Sequence, residues 1–215
     1  MSTPERFYTP ERFRQEQMHV AESPRGGLLM SSCGAGAYLA RRVVKAYREQ
    51  LAAAGAESGF PYLEGIDFQF SDSETCVRLP ADVSGRDVFL FQTLLDPTAT
   101  SQHADGRTHT GQVDHNYMAF LIAVRTLREW GANHVTAILP YLAYARQDKP
   151  TEYQREPTTA KLMADLAIKS GLDRLITWDP HSASIRGFYD NVPVETLEAL
   201  PSKCWWKKKV FKKST

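Results

Sequence analysis

Apolar positions along this chain follow two rhythms that take turns. Short, nearly continuous apolar blocks read as buried strands: "GGLLMSS", "RDVFLFQTL", "HVTAILPYLAY" and "DRLITWDPH". Between them lie longer stretches in which apolar residues return every three or four positions. Leu39, Val43, Ala46 and Tyr47 do so in the first, and Gly55 closes it. Met118, Leu121, Ile122, Val124 and Leu127 give a second helix a broad inward face, with Gly131 as its stop. The third, "EPTTAKLMADLAIKSG", is introduced by Pro157 and Thr158 or Thr159 and ends at Gly171. Strands alternating with helices predict an α/β domain with a largely parallel sheet and helices on both faces.

Other stretches are less regular. "GIDFQF" and "TCVRLP" flank "SDSE" as two further short strands, and "SASIRGFYD" reads as a turn of helix. The polar run from Asp96 to about Gly111 holds His103 and His109, with His115 just beyond. Their spacing matches no familiar metal-ligand pattern, so a solvated loop is expected. Near the N-terminus "TPERF" occurs twice, at Thr3–Phe7 and Thr9–Phe13, and reads as a loosely docked leader.

Composition narrows the possibilities. The 215 residues carry a formal charge of +1, but six lysines crowd the last thirteen positions with no acid among them. Removing them leaves −5 for residues 1–202, a mildly acidic body that argues against a nucleic-acid groove as the main surface. Cys33, Cys76 and Cys204 are odd in number, far apart and without a CxxC, which fits reduced thiols in the cytoplasm. No apolar run approaches the roughly 18 residues of a membrane span, and the charged start lacks the apolar core of a signal peptide.

Candidate chemistry collects where two strands end. After "AILPYLAY" come Arg146, Gln147, Asp148, Lys149, Glu152, Arg155 and Glu156, with two prolines among them. After "LITW" come Asp179, Pro180 and His181. In parallel sheets ligands bind beyond the carboxyl ends of strands, where such loops converge. Arg146 suits phosphate oxygens through its fork of donors and Lys149 as a point charge. Asp179 and His181 suit a divalent cation; magnesium prefers oxygen, which favours Asp179 as the direct ligand. The Gly34-Ala35-Gly36 turn before the first helix is a weaker candidate for a phosphate cradle.

"FQFSDSETCVRLP", "AILPYLAYARQDK" and "PTTAKLMADLAIKSGLDRLITWDPHSASIRGFYDNVPV" together resemble the N-terminal domain of ribose-phosphate pyrophosphokinase, over about residues 28–193. The resemblance implies a phosphoribosyltransferase-like fold and a transferase of nucleotide biosynthesis, which moves the β,γ-diphosphate of ATP to ribose 5-phosphate and releases AMP. It implies that Arg146 and Gln147 contact ATP, that His181 binds Mg2+ with Asp179 beside it, and that Lys149 belongs to the phosphate loop. Asp72 and Glu74, in the segment matching the family's Phe-Ser-Asp-Gly-Glu, would touch ATP bound to a neighbouring subunit, so a homo-oligomer is implied. No catalytic side chain is assigned.

The pattern also departs from the family. The chain contains no Asp-Asp pair, so the acidic loop that grips ribose 5-phosphate has no counterpart in it. Ser73 stands where the family has Gly, Pro180 interrupts the usual Asp-Leu-His, and Leu142-Ala143 replaces an aromatic-Gly pair. The expected organisation is a leader over residues 1–27, one domain over 28–200 with a truncated second half, and a disordered Lys/Trp-rich tail over 201–215. The expected function is that of an incomplete, cytoplasmic ribose-phosphate diphosphokinase. The alternative is a non-catalytic, ATP-binding regulatory partner of complete synthetase subunits.

Overall fold

A computed structural model describes residues 22–23, 25–55, 59–95, 100–102, 108–110 and 113–198. The TPERF repeat, His103 and the basic tail lie outside the described residues, and of His109 only the backbone is described. In chain order the strands are β1 (Glu22–Ser23), β2 (Gly26–Ser32), β3 (Tyr62–Leu63), β4 (Asp67–Gln69), β5 (Thr75–Val77), β6 (Asp87–Phe91), β7 (Thr100–Gln102), β8 (Thr108–Thr110), β9 (His134–Leu139), β10 (Arg174–Trp178) and β11 (Val194–Leu197). The helices are α1 (Ala37–Ala53), α2 (Val113–Glu129) and α3 (Thr159–Ser170), with 3-10 turns at Gly34–Gly36 and Ala183–Tyr189.

β2, β6, β9, β10 and β11 lie side by side in that order, each parallel to the next. β3 pairs in parallel with the other edge of β2, and β1 adds to β2 antiparallel. The chain therefore steps from β2 outward to β3, then returns past β2 to β6. Such a reversal opens a crevice beyond the carboxyl ends of the two diverging strands. β4 and β5 form a separate hairpin, and β7–β8 a second one inside the polar run expected to be a plain loop.

Alternation along each strand divides the core. Leu29, Val88, Leu90, Val135, Ala137, Leu139 and Leu175 point to one face, where Phe120, Val124 and Leu127 of α2 and Ala160, Ala164 and Ala167 of α3 cover them. Met30, Phe91 and Ile138 point to the other, under Ala40, Val44 and Leu51 of α1. Burying each large side chain here contributes roughly 1.5–3 kcal/mol. Both helix faces sit slightly off the expected stripes. Met118 is exposed while Tyr117 is buried, and Ala46 is exposed while Val44 is buried. Among the described residues no helix is long and apolar enough to cross a membrane.

The turn from β2 into α1 is set by close approach. A Cβ on Gly36 would fall inside the contact radius of the Phe91 carbonyl, so only glycine lets the two chain segments meet there. The same turn is already supplied with an anion: the Gly34 N–H donates to Asp67 Oδ1 at 2.5 Å, and the Gly36 N–H to the Cys33 carbonyl at 3.0 Å. The suspected phosphate cradle is thus engaged by the protein's own carboxylate. Burial pushes the Asp67 carboxyl above its ordinary range, against the lowering effect of the Gly34 bond.

Gly36→Ala is expected to cost about 1–3 kcal/mol in urea denaturation through overpacking. Gly59→Ala, where an added Cβ meets nothing within 4 Å, is the matched control; equal midpoints would refute the close-approach argument. Asp67 gives a second expectation. A raised carboxyl pKa means the native state holds its proton more tightly than the unfolded chain, so this group's contribution to stability falls as pH rises through its folded value. Asp67→Asn, which still offers an oxygen to Gly34, should melt higher than wild type at pH 7. That gain should vanish below the ordinary carboxylate range, and paired thermal melts at the two pH values decide it.

Candidate functional site

Beyond β9 the chain alternates between anchoring and display. Leu142, Ala143 and Ala145 are buried, while Arg146, Gln147 and Lys149 are exposed. Tyr144 adopts a left-handed φ of 62°, and its carbonyl accepts the Gln147 N–H at 2.9 Å. The Gln147 carbonyl in turn accepts the Ala160 N–H at 3.1 Å, in the first turn of α3. Farther out, the Thr151 N–H and hydroxyl both donate to Glu156 Oε2, at 3.0 and 2.7 Å, which holds that carboxyl below its usual range. Among the described residues no hydrogen bond or ion pair engages the side chains of Arg146, Gln147 or Lys149.

The exit of β10 is equally fixed. The Asp179 N–H donates to the Leu197 carbonyl at 3.0 Å, extending the ladder with β11, and the residue takes a φ of 36°. Asp179 and Pro180 are half-buried and His181 is exposed. The Ser182 hydroxyl oxygen accepts the Ser184 N–H and starts the 3-10 turn. That turn is tied back to α3 by Lys161, whose ammonium donates to the Phe188 carbonyl at 3.0 Å and meets Asp190 at 3.1 Å and Asp165 at 2.7 Å. Asp165 first, then Asp190, hold the ammonium above the ordinary lysine range.

β9 and β10 are adjacent and parallel, with Leu139 opposite Thr177, so both exits emerge at one edge of the sheet about one strand spacing apart. The fold therefore brings Arg146, Gln147 and Lys149 to the same edge as Asp179 and His181. Asp72 and Glu74 stand elsewhere, exposed on the β4–β5 hairpin, where Asp72 Oδ1 accepts the Glu74 N–H at 3.0 Å. That hairpin leans on the first turn of α2, with His115 Nδ1 lying 2.8 Å from Gln69 Nε2 and 3.2 Å from the Thr75 hydroxyl. On the preceding residue, Asp114, the carboxylate accepts the Tyr144 hydroxyl. The first turn of α2 thus lies between the acidic hairpin and the charged loop.

The edge is open. A cleft of about 590 Å³, lined by Gly34, Arg41, Glu64, Asp67 and Arg78, lies beside the β2–α1 turn and contains none of Arg146, Gln147, Lys149, Asp179 or His181. Among the described residues no group of three or more His, Cys, Asp or Glu side chains is arranged to hold a metal. One carboxylate with a nearby imidazole suits a hydrated magnesium whose other ligands are waters and phosphate oxygens, and does not suit an all-protein cage. Sequence reasoning missed Tyr144, Asp114 and Lys161. Asp165 lies only one helical turn from Lys161, but the partners that tie these residues to other elements lie 27 to 30 residues away, so no local pattern announces them.

Comparison with known proteins agrees with this architecture. Ribose-phosphate pyrophosphokinase from Helicobacter pylori is 38% identical over 139 residues, which is 65% of this chain and 38% of that protein. The enzyme of the same name from a Marinomonas species is 33% identical over 174 residues, covering 81% of this chain and 47% of its own. The crystal structure of phosphoribosylpyrophosphate synthetase from Mycobacterium smegmatis superposes with a TM-score of 0.62 at 28% identity, over 85% of this chain and 52% of that one. The chain thus spans about half, or less, of the length of these relatives. A family model for the N-terminal domain of ribose phosphate pyrophosphokinase matches residues 29–171, and the chain belongs to that family.

Proposed function

We propose that this domain is the MgATP-binding half of a cytoplasmic ribose-phosphate diphosphokinase. The observation that carries the reading is that the Gln147 carbonyl caps α3, and Lys161 of the same helical turn holds the end of the 3-10 turn that follows the β10 exit, while the Arg146, Gln147 and Lys149 side chains remain uncommitted. Surface loops that exist for solubility need no such anchoring. In the reaction the anomeric hydroxyl of ribose 5-phosphate attacks the β-phosphorus of ATP, the bond from that phosphorus to the α,β-bridging oxygen breaks, and AMP leaves with the oxygen. The hydroxyl proton passes to solvent or to a base outside this set of residues.

Each side chain has a role that needs no covalent chemistry. Phosphoryl transfer depends mainly on positioning and on neutralising charge. Arg146 grips phosphate oxygens with paired donors, Gln147 adds a neutral donor, and Lys149 contributes a point charge. Asp179 and His181 would hold magnesium, which when bound neutralises phosphate charge and fixes the polyphosphate conformation. Asp72 and Glu74, displayed outward on their hairpin, would complete the ATP site of a second copy, so the active form is a homo-oligomer. Ribose 5-phosphate requires an acidic loop that this sequence does not contain, and that half of the reaction depends on additional protein.

The second reading is a regulatory partner that binds ATP without turnover. One experiment separates the two. MgATP is titrated calorimetrically into wild type and Arg146→Ala, and phosphorus NMR follows AMP after ribose 5-phosphate is added. Wild type should bind, and Arg146→Ala should lose roughly 10- to 100-fold in affinity with its melting temperature unchanged, since the side chain is exposed. AMP formed only when a complete synthetase subunit is supplied, and then faster than that subunit alone, supports the catalytic half. Binding with no added AMP supports the regulatory partner. Wild type that ignores millimolar MgATP would sink both.

A further inference from the structure

We propose that Tyr144 is a positioning residue: its hydroxyl, bonded to the Asp114 carboxylate, latches the head of the charged loop to α2 and thereby sets where Arg146 and Gln147 stand. The inference rests on reading that loop as the nucleotide-binding edge. Its starting point is the backbone. Tyr144 stands at φ 62°, a left-handed conformation that is uncommon for a bulky side chain; Tyr153 has a similar φ with its side chain fully exposed, whereas that of Tyr144 is tied by contacts to neighbouring elements.

Those contacts can be named. The hydroxyl reaches Asp114, in the first turn of α2. The ring meets Tyr117 edge-on, with centroids 6.0 Å apart and planes at 86°. Tyr117 is itself immobilised: it packs edge-on against Phe120 at 5.7 Å, and its hydroxyl donates to the Met163 carbonyl of α3 at 2.8 Å. Tyr144 therefore touches α2 directly and α3 through Tyr117. Its carbonyl then accepts the Gln147 N–H, so the turn carrying Arg146 is oriented by the residue that is latched.

The two halves of this anchor do different things. Ring packing belongs to the core and survives without the hydroxyl. The hydroxyl–carboxylate bond lies at the surface, where Asp114 is exposed, and contributes little to burying apolar area. Its effect is to fix direction. The bond to Asp114, followed by partial burial, pushes the Tyr144 hydroxyl up to about 12, so it remains a donor at any ordinary pH.

The test uses the full chain with Tyr144→Phe, Asp114→Ala, Asp114→Asn and the double variant Tyr144→Phe/Asp114→Ala. MgATP affinity, amide hydrogen exchange and melting temperature are measured for each. Tyr144→Phe and Asp114→Ala should each weaken MgATP binding about tenfold, and the double variant should lose no more than either alone. Asp114→Asn keeps an acceptor oxygen and should stay within about twofold of wild type, a rescue that a purely electrostatic role would not give. Exchange at residues 145–149, and at Ala160 whose amide the Gln147 carbonyl caps, should quicken while 163–170 hold. Tyr144→Phe binding like wild type, or Asp114→Asn failing as badly as Asp114→Ala, overturns the latch. Should wild type bind no nucleotide, the functional reading falls, and exchange alone decides: quickened 145–149 amides in Tyr144→Phe keep the latch, unchanged ones remove it.

Discussion

Everything chemical in this domain hangs on the first turn of α3. A helix begins with four amides that have no partner within the helix, and most helices satisfy one of them with a side-chain cap. Thr158 occupies the cap position here but makes no such bond. The Ala160 amide is satisfied instead by the Gln147 carbonyl, so the helix is capped by the charged loop itself. One residue later Lys161 reaches to the Phe188 carbonyl and Asp190, fixing the turn that follows Asp179 and His181. Two loops that leave adjacent strands would otherwise be free to diverge. Because both answer a need of the same helical turn, their relative placement is a property of the fold.

How much of this could be read from residues alone depended on range. β2, β6, β9 and β10 were legible because strands buried on both faces show as continuous apolar runs. α2 was legible as a helix but not in its rotation. Met118 fits the stripe by type, yet the buried position is Tyr117, whose ring and hydroxyl have specific partners on α3 and the loop. Hydropathy counts an exposed Met and a buried Tyr the wrong way round, because it cannot see a hydrogen bond 46 residues distant. The polar run after β6 hid a hairpin for a related reason: β7 and β8 pair through backbone groups, which leave no apolar signature. Among the site residues, Arg146, Gln147 and Lys149 were conspicuous as charge after a core strand. The residues that hold them in place were not.

Departures from the family pattern acquire physical meaning in the coordinates. Ser73 has a φ of 73°, in the region where glycine is at ease and serine is strained, and it sits between Asp72 and Glu74 at the tip of the hairpin. The strain is confined to an exposed turn closed by the Ser73 N–H to the Phe70 carbonyl at 3.0 Å. Leu142 and Ala143, which replace an aromatic-Gly pair, are 5% and 3% exposed, so the substitution is absorbed by the core beneath the loop. Pro180 follows Asp179 at the end of the β10–β11 ladder and stiffens the step between the two proposed metal groups without removing a ladder bond, since the last one is donated by Asp179. Each change leaves the anchoring of the loops intact.

The charge pattern of the loop then says how it can work. Between Arg146 and Glu156 there are three cations and three carboxylates, so the segment carries no net charge with which to draw in an anionic ligand from a distance. Glu156 is spent on Thr151, which closes the outer part of the loop on itself. The cations that remain are separated by acids and exposed to water, where a lone charge–charge contact is worth little. A loop of this composition cannot bind polyphosphate by electrostatic attraction alone. It can do so only if particular donors are held in a geometry that several phosphate oxygens meet at once, and that geometry is what Tyr144, Gln147 and the first turn of α3 impose. Under the proposed nucleotide-binding reading, selectivity for one arrangement of phosphates over another would follow from the same constraint, because anchored donors discriminate by position, whereas a mobile basic patch would accept any anion.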